Sequence, residues 1–225
     1  MKILLEPILV SIVCGLFILI APKRFRKFIE FFSLATSVYL FIAGIKIFFA
    51  SPVNAGYLYV DGLSRFIVPA IGFFGFLVTL YSQRSMSSYK DVSSYYTYII
   101  WTIGASMLAA VSNNIALLLI SWGFLGFTLY MLINISGPRA AAVSKKTFII
   151  IGGSDSLMLF GFGIMWFITR SLNLSDIKIA IDTPLAFWAF LLIAIGAFAK
   201  AGAMPFHTWI PETAQEAPIS VTAFL

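Results

Sequence analysis

Residues 184–211 read PLAFWAFLLIAIGAFAKAGAMPFHTWIP, and this stretch decides how the rest of the chain is interpreted. A long apolar run precedes Lys200, so this lysine is predicted to lie well inside a membrane span. An ionisable side chain is costly there and is a functional candidate by default. Gly202, Pro205 and Pro211 follow, and two prolines beside a glycine predict a break in the helix at membrane depth.

The composition of the whole chain agrees with a membrane location. Of its 225 residues, 60% are hydrophobic and 11% are charged, whereas soluble domains carry about 25% charged residues. This apolar excess is too large for one buried core, so lipid is the expected solvent. Because backbone polar groups must bond internally in lipid, the sequence predicts an all-α integral membrane protein, a polytopic bundle of helices.

Apolar runs predict seven complete transmembrane helices, the seventh of them broken, and the start of an eighth. Because the eighth run is too short to cross a bilayer, the chain is interpreted either as a fragment or as a split subunit that another chain completes. The predicted spans are 3–20, 28–49, 64–81, 95–112, 114–134, 147–169, 185–204 and 218–225.

Lys and Arg residues predict the orientation of the bundle. They are concentrated in the first, third and fifth loops, and the even loops carry fewer. The positive-inside rule therefore places the odd loops in the cytoplasm and the N-terminus outside, in the cytoplasmic (inner) membrane. The net charge of +6 is largely topological, and a nucleic-acid partner is not expected.

Three ionisable groups are candidates for a proton relay. Lys200 in apolar surroundings can lose and regain a proton near neutral pH, although it can also reach the surface by snorkelling. Asp155 lies in the sixth span, where Gly152 and Gly153 are expected to admit a close neighbouring helix, and it is either a relay carboxylate or a structural contact. His207 is the single histidine, and its imidazole suits either proton transfer or a loop hydrogen bond.

Other polar residues have weaker claims. Glu212 and Glu216 follow the predicted break and are candidates for a channel entrance. Cys14 is the single cysteine and lies in the first span, so one cysteine and one histidine leave no set of ligands for a zinc or iron–sulfur centre. The chain is therefore expected to hold no metal and no cofactor.

Residues 199–218, AKAGAMPFHTWIPETAQEAP, resemble the pattern K-x-x-x-x-P-[FL]-H-x-W-[LI]-P-[DE]-A-x-x-x-A-P. This is the pattern of the antiporter-like subunits of respiratory complex I, of membrane-bound hydrogenases and formate hydrogenlyases, and of multi-subunit Na⁺/H⁺ antiporters. Residues 60–64 (VDGLS) and 152–155 (GGSD) resemble two further motifs of the same subunits, in the same order.

The resemblance implies a fold of fourteen helices with two inverted five-helix repeats. On that scheme 1–94 form the first three helices, and 95–225 form an incomplete first repeat, helices four to eight, within one membrane domain. The resemblance also implies that protons move through buried lysines, glutamates and histidines, and Lys200 matches the key lysine on the broken helix.

One departure concerns the partner of that lysine. The family's fifth helix usually carries Trp-Glu, but Gly123 follows Trp122 here, and 114–134 contain no carboxylate. Lys200 should therefore be more readily neutral or find another partner, and Asp155 is the only buried candidate.

These features favour a non-redox, proton-translocating membrane subunit, or its N-terminal fragment, in a redox-driven assembly. The assembly would resemble NADH:quinone oxidoreductase or a hydrogenase. One alternative is a subunit of a multi-subunit Na⁺/H⁺ antiporter. Another is a non-conducting scaffold, which Gly123 and the short eighth span favour. The expected partners are lipid and other membrane subunits, one of which supplies the missing C-terminal helices if the chain is not a fragment.

Overall fold

The computed structural model describes residues 2–89, 91–180 and 183–224, and these residues form a helical bundle. A two-stranded antiparallel hairpin, β1 (Val53–Asn54) with β2 (Tyr59–Val60), interrupts the otherwise helical pattern in the second loop. The helices are α1 Lys2–Ile20, α2 Arg26–Phe49, α3 Gly62–Ser85, α4 Val92–Val111, α5 Ile115–Asn134, α6 Pro138–Thr169, α7 Pro184–Lys200, α8 Trp209–Glu216 and α9 Ile219–Thr222.

Five of the described helices, α1, α2, α3, α5 and α6, are long and apolar enough to cross a membrane. The sequence predicts seven complete spans, so the crossing of α4 and α7 stays a prediction. α7 is apolar but has 17 residues. α4 has 20 residues, and its Tyr95, Ile99 and Ile103 are each 0% exposed. α4 is therefore a central helix of the bundle.

Hydrogen bonds gather the odd-numbered loops at one end of the bundle. The Arg26 guanidinium, at the start of α2, donates to the carbonyl of Met86 at 2.7 Å and to that of Tyr89 at 3.3 Å. The Tyr89 hydroxyl lies 3.5 Å from the Ser136 hydroxyl in the loop before α6. The first, third and fifth loops therefore share one end.

Asn113, between α4 and α5, gathers the even-numbered loops at the other end. Its backbone amide donates to the carbonyl of Tyr57 at 2.8 Å, and its side-chain amide donates to the Ser175 hydroxyl at 3.1 Å. The side-chain oxygen of Asn113 accepts from the backbone amide of Ser175 at 2.9 Å. This single 3%-exposed residue joins the second, fourth and sixth loops.

Two predicted boundaries near the candidate site are wrong. α6 begins at Pro138 rather than 147, so Lys145 and Lys146 lie on the helix and not in a loop. Proline is compatible with the first turn of a helix, where its missing N–H has no intrahelical partner. α7 ends at Lys200 rather than 204, so this lysine stands at the end of a helix and not within it.

The chain leaves helical geometry over residues 201–208, as the sequence predicts. Gly202 has a φ of +65°, and its amide donates to the carbonyl of Ala199 at 3.2 Å, which is the left-handed helix ending that glycine favours. Pro205 lies within the break. Pro211 does not, because it occupies the first turn of α8, which begins at Trp209 and tolerates proline there.

The glycines that bring α6 close to a neighbour are not the predicted ones. A Cβ atom at Gly152 or Gly153 would meet no atom within 4 Å, so the expectation of close packing there is wrong. At Gly161 it would lie 2.8 Å from the carbonyl oxygen of Ala189, and at Gly196 it would lie 2.7 Å from the Cβ of Met158. The contact between α6 and α7 therefore depends on a different pair of glycines.

Gly161→Leu is expected to separate α6 from α7 and to lower the free energy of unfolding by roughly 1–3 kcal/mol, the usual cost of overpacking. Thermal unfolding in detergent would measure the loss. Gly163→Leu is the matched control on the same helix, because a Cβ there meets no atom within 4 Å. Equal losses for the two variants would contradict this packing.

Asp61 caps α3, and its cap is expected to be sensitive to pH. Its carboxylate accepts from the backbone amide of Ser64 at 2.7 Å and from the Ser64 hydroxyl at 2.8 Å. These bonds hold the pKa of Asp61 below its usual range. Since the folded-state pKa is depressed, the stabilisation is present above the unfolded-state pKa and is lost as pH falls through the folded value.

Asp61→Ala should therefore lower the free energy of unfolding by about 1 kcal/mol at neutral pH, the typical value of an N-cap. Asp61→Asn should keep the cap and remove the part of the stabilisation that is lost at acidic pH. Unfolding in detergent between neutral and acidic pH would measure both. Asp61→Asn with the same pH dependence as the unaltered protein would contradict the assignment.

Candidate functional site

The ammonium group of Lys200 lies where the end of α7 meets α5 and α6. Its Nζ is 3.6 Å from Asp155 Oδ2 on α6. The same nitrogen donates to the carbonyl of Trp122 on α5 at 2.5 Å and lies 4.5 Å from the centroid of the Trp122 ring. The side chains of Lys200 and Asp155 are 14% and 20% exposed. Three helices thus supply one charged cluster.

Trp122 completes the cluster from α5. Its indole Nε1 donates to Asp155 Oδ1 at 2.8 Å. One carboxylate oxygen therefore accepts from the Trp122 indole, and the other faces the Lys200 ammonium. The sequence interpretation gave Trp122 no role. The available signal was its indole N–H within an apolar helix, because a buried tryptophan N–H usually finds an acceptor.

One glycine of α5 borders the pair, and a second does not. A Cβ at Gly126 would lie 3.7 Å from Asp155 Oδ2 and 3.9 Å from Lys200 Nζ, so the backbone of α5 passes directly beside the charges. A Cβ at Gly123, where the resemblance places a glutamate, would meet no atom within 4 Å. The carboxylate that faces Lys200 comes from α6 instead.

A cavity of about 480 Å³ opens beside the cluster. Lys200 reaches its wall, together with the Thr102 and Ser106 hydroxyls one turn apart on α4, and most of the remaining lining is apolar. Trp209, at the start of α8, also lines it and donates from Nε1 to the carbonyl of Ala199 at 3.0 Å. Lys200 is therefore accessible from the cavity, whereas Asp155 does not line it.

The other predicted relay residue, His207, lies in the break between α7 and α8. Its Nδ1 is buried, and among the residues that the structure describes it has no hydrogen-bond partner. A buried polar atom of this kind usually has a partner in the complete protein, often an ordered water.

The glutamates predicted for an entrance are placed on α8. Glu212 forms an ion pair with Lys146 of α6, and their side chains are 44% and 49% exposed. The Thr147 and Thr213 hydroxyls, one residue further along each helix, are 3.1 Å apart. These contacts fix α8 against α6. Glu216 is the last residue of α8 and is half-buried.

The arrangement can hold a proton but does not by itself pass one on. At 3.6 Å the ammonium and the carboxylate form an ion pair rather than a direct hydrogen bond. A water between them, or a small movement of the lysine, would complete a path for exchange. Among the described residues, no group of three or more His, Cys, Asp or Glu is placed to hold a metal ion.

Comparisons with known proteins agree with this architecture. The profile of the family described as NADH:quinone oxidoreductase/Mrp antiporter, transmembrane, matches residues 112–225. The Na⁺/H⁺ antiporter subunit A1 of Staphylococcus haemolyticus is 32% identical over 174 residues, which cover 75% of this chain and 22% of that protein. The subunit A1 of Staphylococcus aureus is 31% identical over 177 residues. The chain thus spans about a fifth of these relatives.

Three solved assemblies contain a chain with the same fold. The membrane-bound sulfane sulfur reductase, an archaeal respiratory complex, matches with a TM-score of 0.87 at 17% identity, over 99% of this chain and 49% of that one. The Mrp complex of Dietzia gives 0.84 at 20% identity, over 98% and 26%. Respiratory complex I of Thermus thermophilus gives 0.79 at 20% identity, over 98% and 51%.

The profile covers half of the chain and includes the break and Lys200, and the three solved chains share the helical arrangement around them. The chain therefore belongs to the family of antiporter-like membrane subunits found in NADH:quinone oxidoreductase, Mrp antiporters and related complexes.

Proposed function

We propose that this chain contributes a proton-conducting site to a larger membrane assembly, and that Lys200 is the group that carries the proton. The observation that supports this most directly is the ion pair between Lys200 and Asp155, whose side chains are 14% and 20% exposed. Charged groups within membrane helices are retained where they pair with each other and serve transport. The adjoining cavity offers a route to the lysine.

In this proposal Asp155 is the counter-charge to Lys200, and α5 supplies none. A carboxylate beside a lysine stabilises its charged form, and withdrawal of either partner favours release of the proton. Trp122 holds Asp155 in place through its indole N–H. Because Trp122 also accepts from Lys200 through its carbonyl, a displacement of α5 would change how readily the pair releases its proton.

The proposed assembly is driven by a redox reaction in another subunit. The respiratory complexes among the structural neighbours are consistent with that assignment. A second candidate is a subunit of a Na⁺/H⁺ antiporter, favoured by the names of the relatives at 31–32% identity. A scaffold without conduction is the third candidate, and Gly123 is the feature that favours it.

We also propose that further membrane helices cover the 480 Å³ cavity beside Lys200. They belong either to a neighbouring subunit or to additional residues of the same protein. His207, whose Nδ1 is buried without a described partner, is proposed to join the relay once that cover is present. The end of the bundle that carries Arg26 and Lys146 is assigned to the cytoplasmic side of the inner membrane, since basic loops favour that side.

Asp155→Leu and Lys200→Leu are each expected to lower the free energy of unfolding by about 3 kcal/mol, since removal of one partner leaves an uncompensated charge. The double variant should lose less than the sum of the two, with a coupling of roughly 0.5–3 kcal/mol. Unfolding in detergent would provide all four values. Additive losses would show that the two side chains do not interact.

Lys200→Ala in the intact assembly should reduce proton flux by roughly 100-fold or more, the scale of losing a proton-transfer group. Reconstitution in vesicles with a pH-sensitive dye would measure the flux. Lys46→Ala is the control, because Lys46 is an exposed lysine in another spanning helix.

The driving force separates the three candidates. Flux that needs the redox substrate of the assembly supports the first, and flux that follows an imposed Na⁺ gradient supports the second. Flux that is equal with and without Lys200 would overturn the proposal, and the scaffold role would remain as the candidate.

A further inference from the structure

A second cavity lies at the end of the bundle where the second, fourth and sixth loops meet. It has a volume of about 330 Å³ and lies between the start of α3 and the end of α4. Leu63 and Ser175 are exposed residues of its wall, so this loop-end cavity opens at the surface of the bundle. Its polar lining, which is suited to hold water, consists of Tyr59, Asp61, Ser64, Ser112, Asn113 and Ser175.

The loop-end cavity and the cavity beside Lys200 follow each other along the groove between α3 and α4. On α3, Ser64 lines the loop-end cavity, and Ile67 lines both cavities. On α4, Ala110 lines the loop-end cavity, and Ser106 lines the cavity beside Lys200. Since both helices show the same order, the two cavities are stacked end to end.

A hydrogen bond between the two helices fixes the level at which the cavities meet. The Ser64 hydroxyl donates to the carbonyl of Ala110 at 2.9 Å, and α3 and α4 run in opposite directions along the bundle. Ile67 lies about one turn further into the bundle than Ser64, and Ser106 lies about one turn further in than Ala110. Ile67 is therefore level with Ser106 and forms the boundary between the two cavities.

Hydroxyl groups and space for water continue inward from Ile67. Ser106 and Thr102, one turn apart on α4, line the same cavity as Lys200. The helix rises by about 12 Å from Ala110 to Thr102, and both cavities far exceed the roughly 15 Å³ that one water needs. A file of waters along this face of α4 would therefore find hydroxyl partners between the loop end and Lys200.

We propose that water reaches Lys200 from the loop end through the groove between α3 and α4, and that Ile67 is the hydrophobic constriction of this route. Apolar constrictions of this kind gate channels by excluding water. The proposal rests on the proposed function, since Lys200 is the group that the route serves. It adds the side from which Lys200 exchanges its proton and the side chain that controls this exchange.

The test measures access to Ser106 rather than proton flux. In the full chain within its assembly, Cys14→Ala removes the native thiol, Ser106→Cys introduces a new one, and the vesicles have one orientation. A charged methanethiosulfonate that does not cross membranes is added on one side at a time. Mass spectrometry of this subunit measures the rate of modification, which is expected from the loop end and not from the opposite end.

Substitutions of Ile67 test the constriction. Ile67→Ala should raise the rate at Ser106→Cys and Ile67→Trp should lower it, each on the order of tenfold, which corresponds to about 1.4 kcal/mol of barrier. Ala105→Cys is the control at the same depth, because it lines a separate apolar cavity against α1 and α5 and should stay unmodified. Ser51→Cys and Ser87→Cys, exposed in the second and third loops, show which end the reagent reaches.

No modification of Ser106→Cys from the loop end, equal modification from both ends, or a rate that Ile67→Ala leaves unchanged would each overturn the proposal. Proton flux in Lys200→Ala tests the proposed function separately. Modification as expected, with flux that does not need Lys200, would support the water route and reject the proton-carrying role. Flux that needs Lys200, without modification from the loop end, would reject the route and keep that role.

Discussion

A single lysine ammonium inside a bundle of apolar helices has to be satisfied, and the arrangement of α5, α6 and α7 follows from that requirement. An isolated ammonium in apolar surroundings is costly. Lys200 meets the cost with one carboxylate, one backbone carbonyl and the face of one indole. Each of these partners comes from another helix, so the charge at the end of α7 also fixes the positions of α5 and α6.

Small residues let those helices approach closely enough for the cluster to form. Gly161 and Gly196 bring α6 and α7 into backbone contact, and Gly126 allows α5 to pass beside the charges. In membranes, where lipid is as apolar as a leucine side chain, such close packing and polar contacts drive helix association. The glycines and the ion pair therefore support the same geometry. The glycines set the distance between the helices, and the ion pair sets their register.

The sequence predicts the class of fold well because hydropathy and loop charge report directly on the solvent. It also predicts the break after Lys200, since Gly202 and Pro205 cannot continue a helix without penalty. It places the glycine contacts wrongly, because Gly152 and Gly153 differ from Gly161 only in the direction that each faces. That direction depends on the tilt and rotation of α6 relative to α7, which no local pattern encodes.

The partner of Lys200 could be anticipated only by elimination. Gly123 removes the usual carboxylate of α5, and Asp155 remained as the buried alternative. The sequence does not predict the contacts of Trp122 with both charges. Its indole N–H donates to Asp155, and its backbone carbonyl accepts from Lys200. Tertiary proximity between residues 122, 155 and 200 exists only after three helices have packed.

A carboxylate on α6 has a different mechanical consequence from one on α5. Gly161 and Gly196 bring α6 and α7 into backbone contact, whereas Trp122 on α5 holds Asp155 by one hydrogen bond from the side. A movement of α5 would therefore disturb the indole contact and the carbonyl contact of Lys200 together, while leaving Asp155 beside the lysine. In such a site the ion pair is the lasting element, and α5 is the helix whose displacement would change the proton affinity of Lys200.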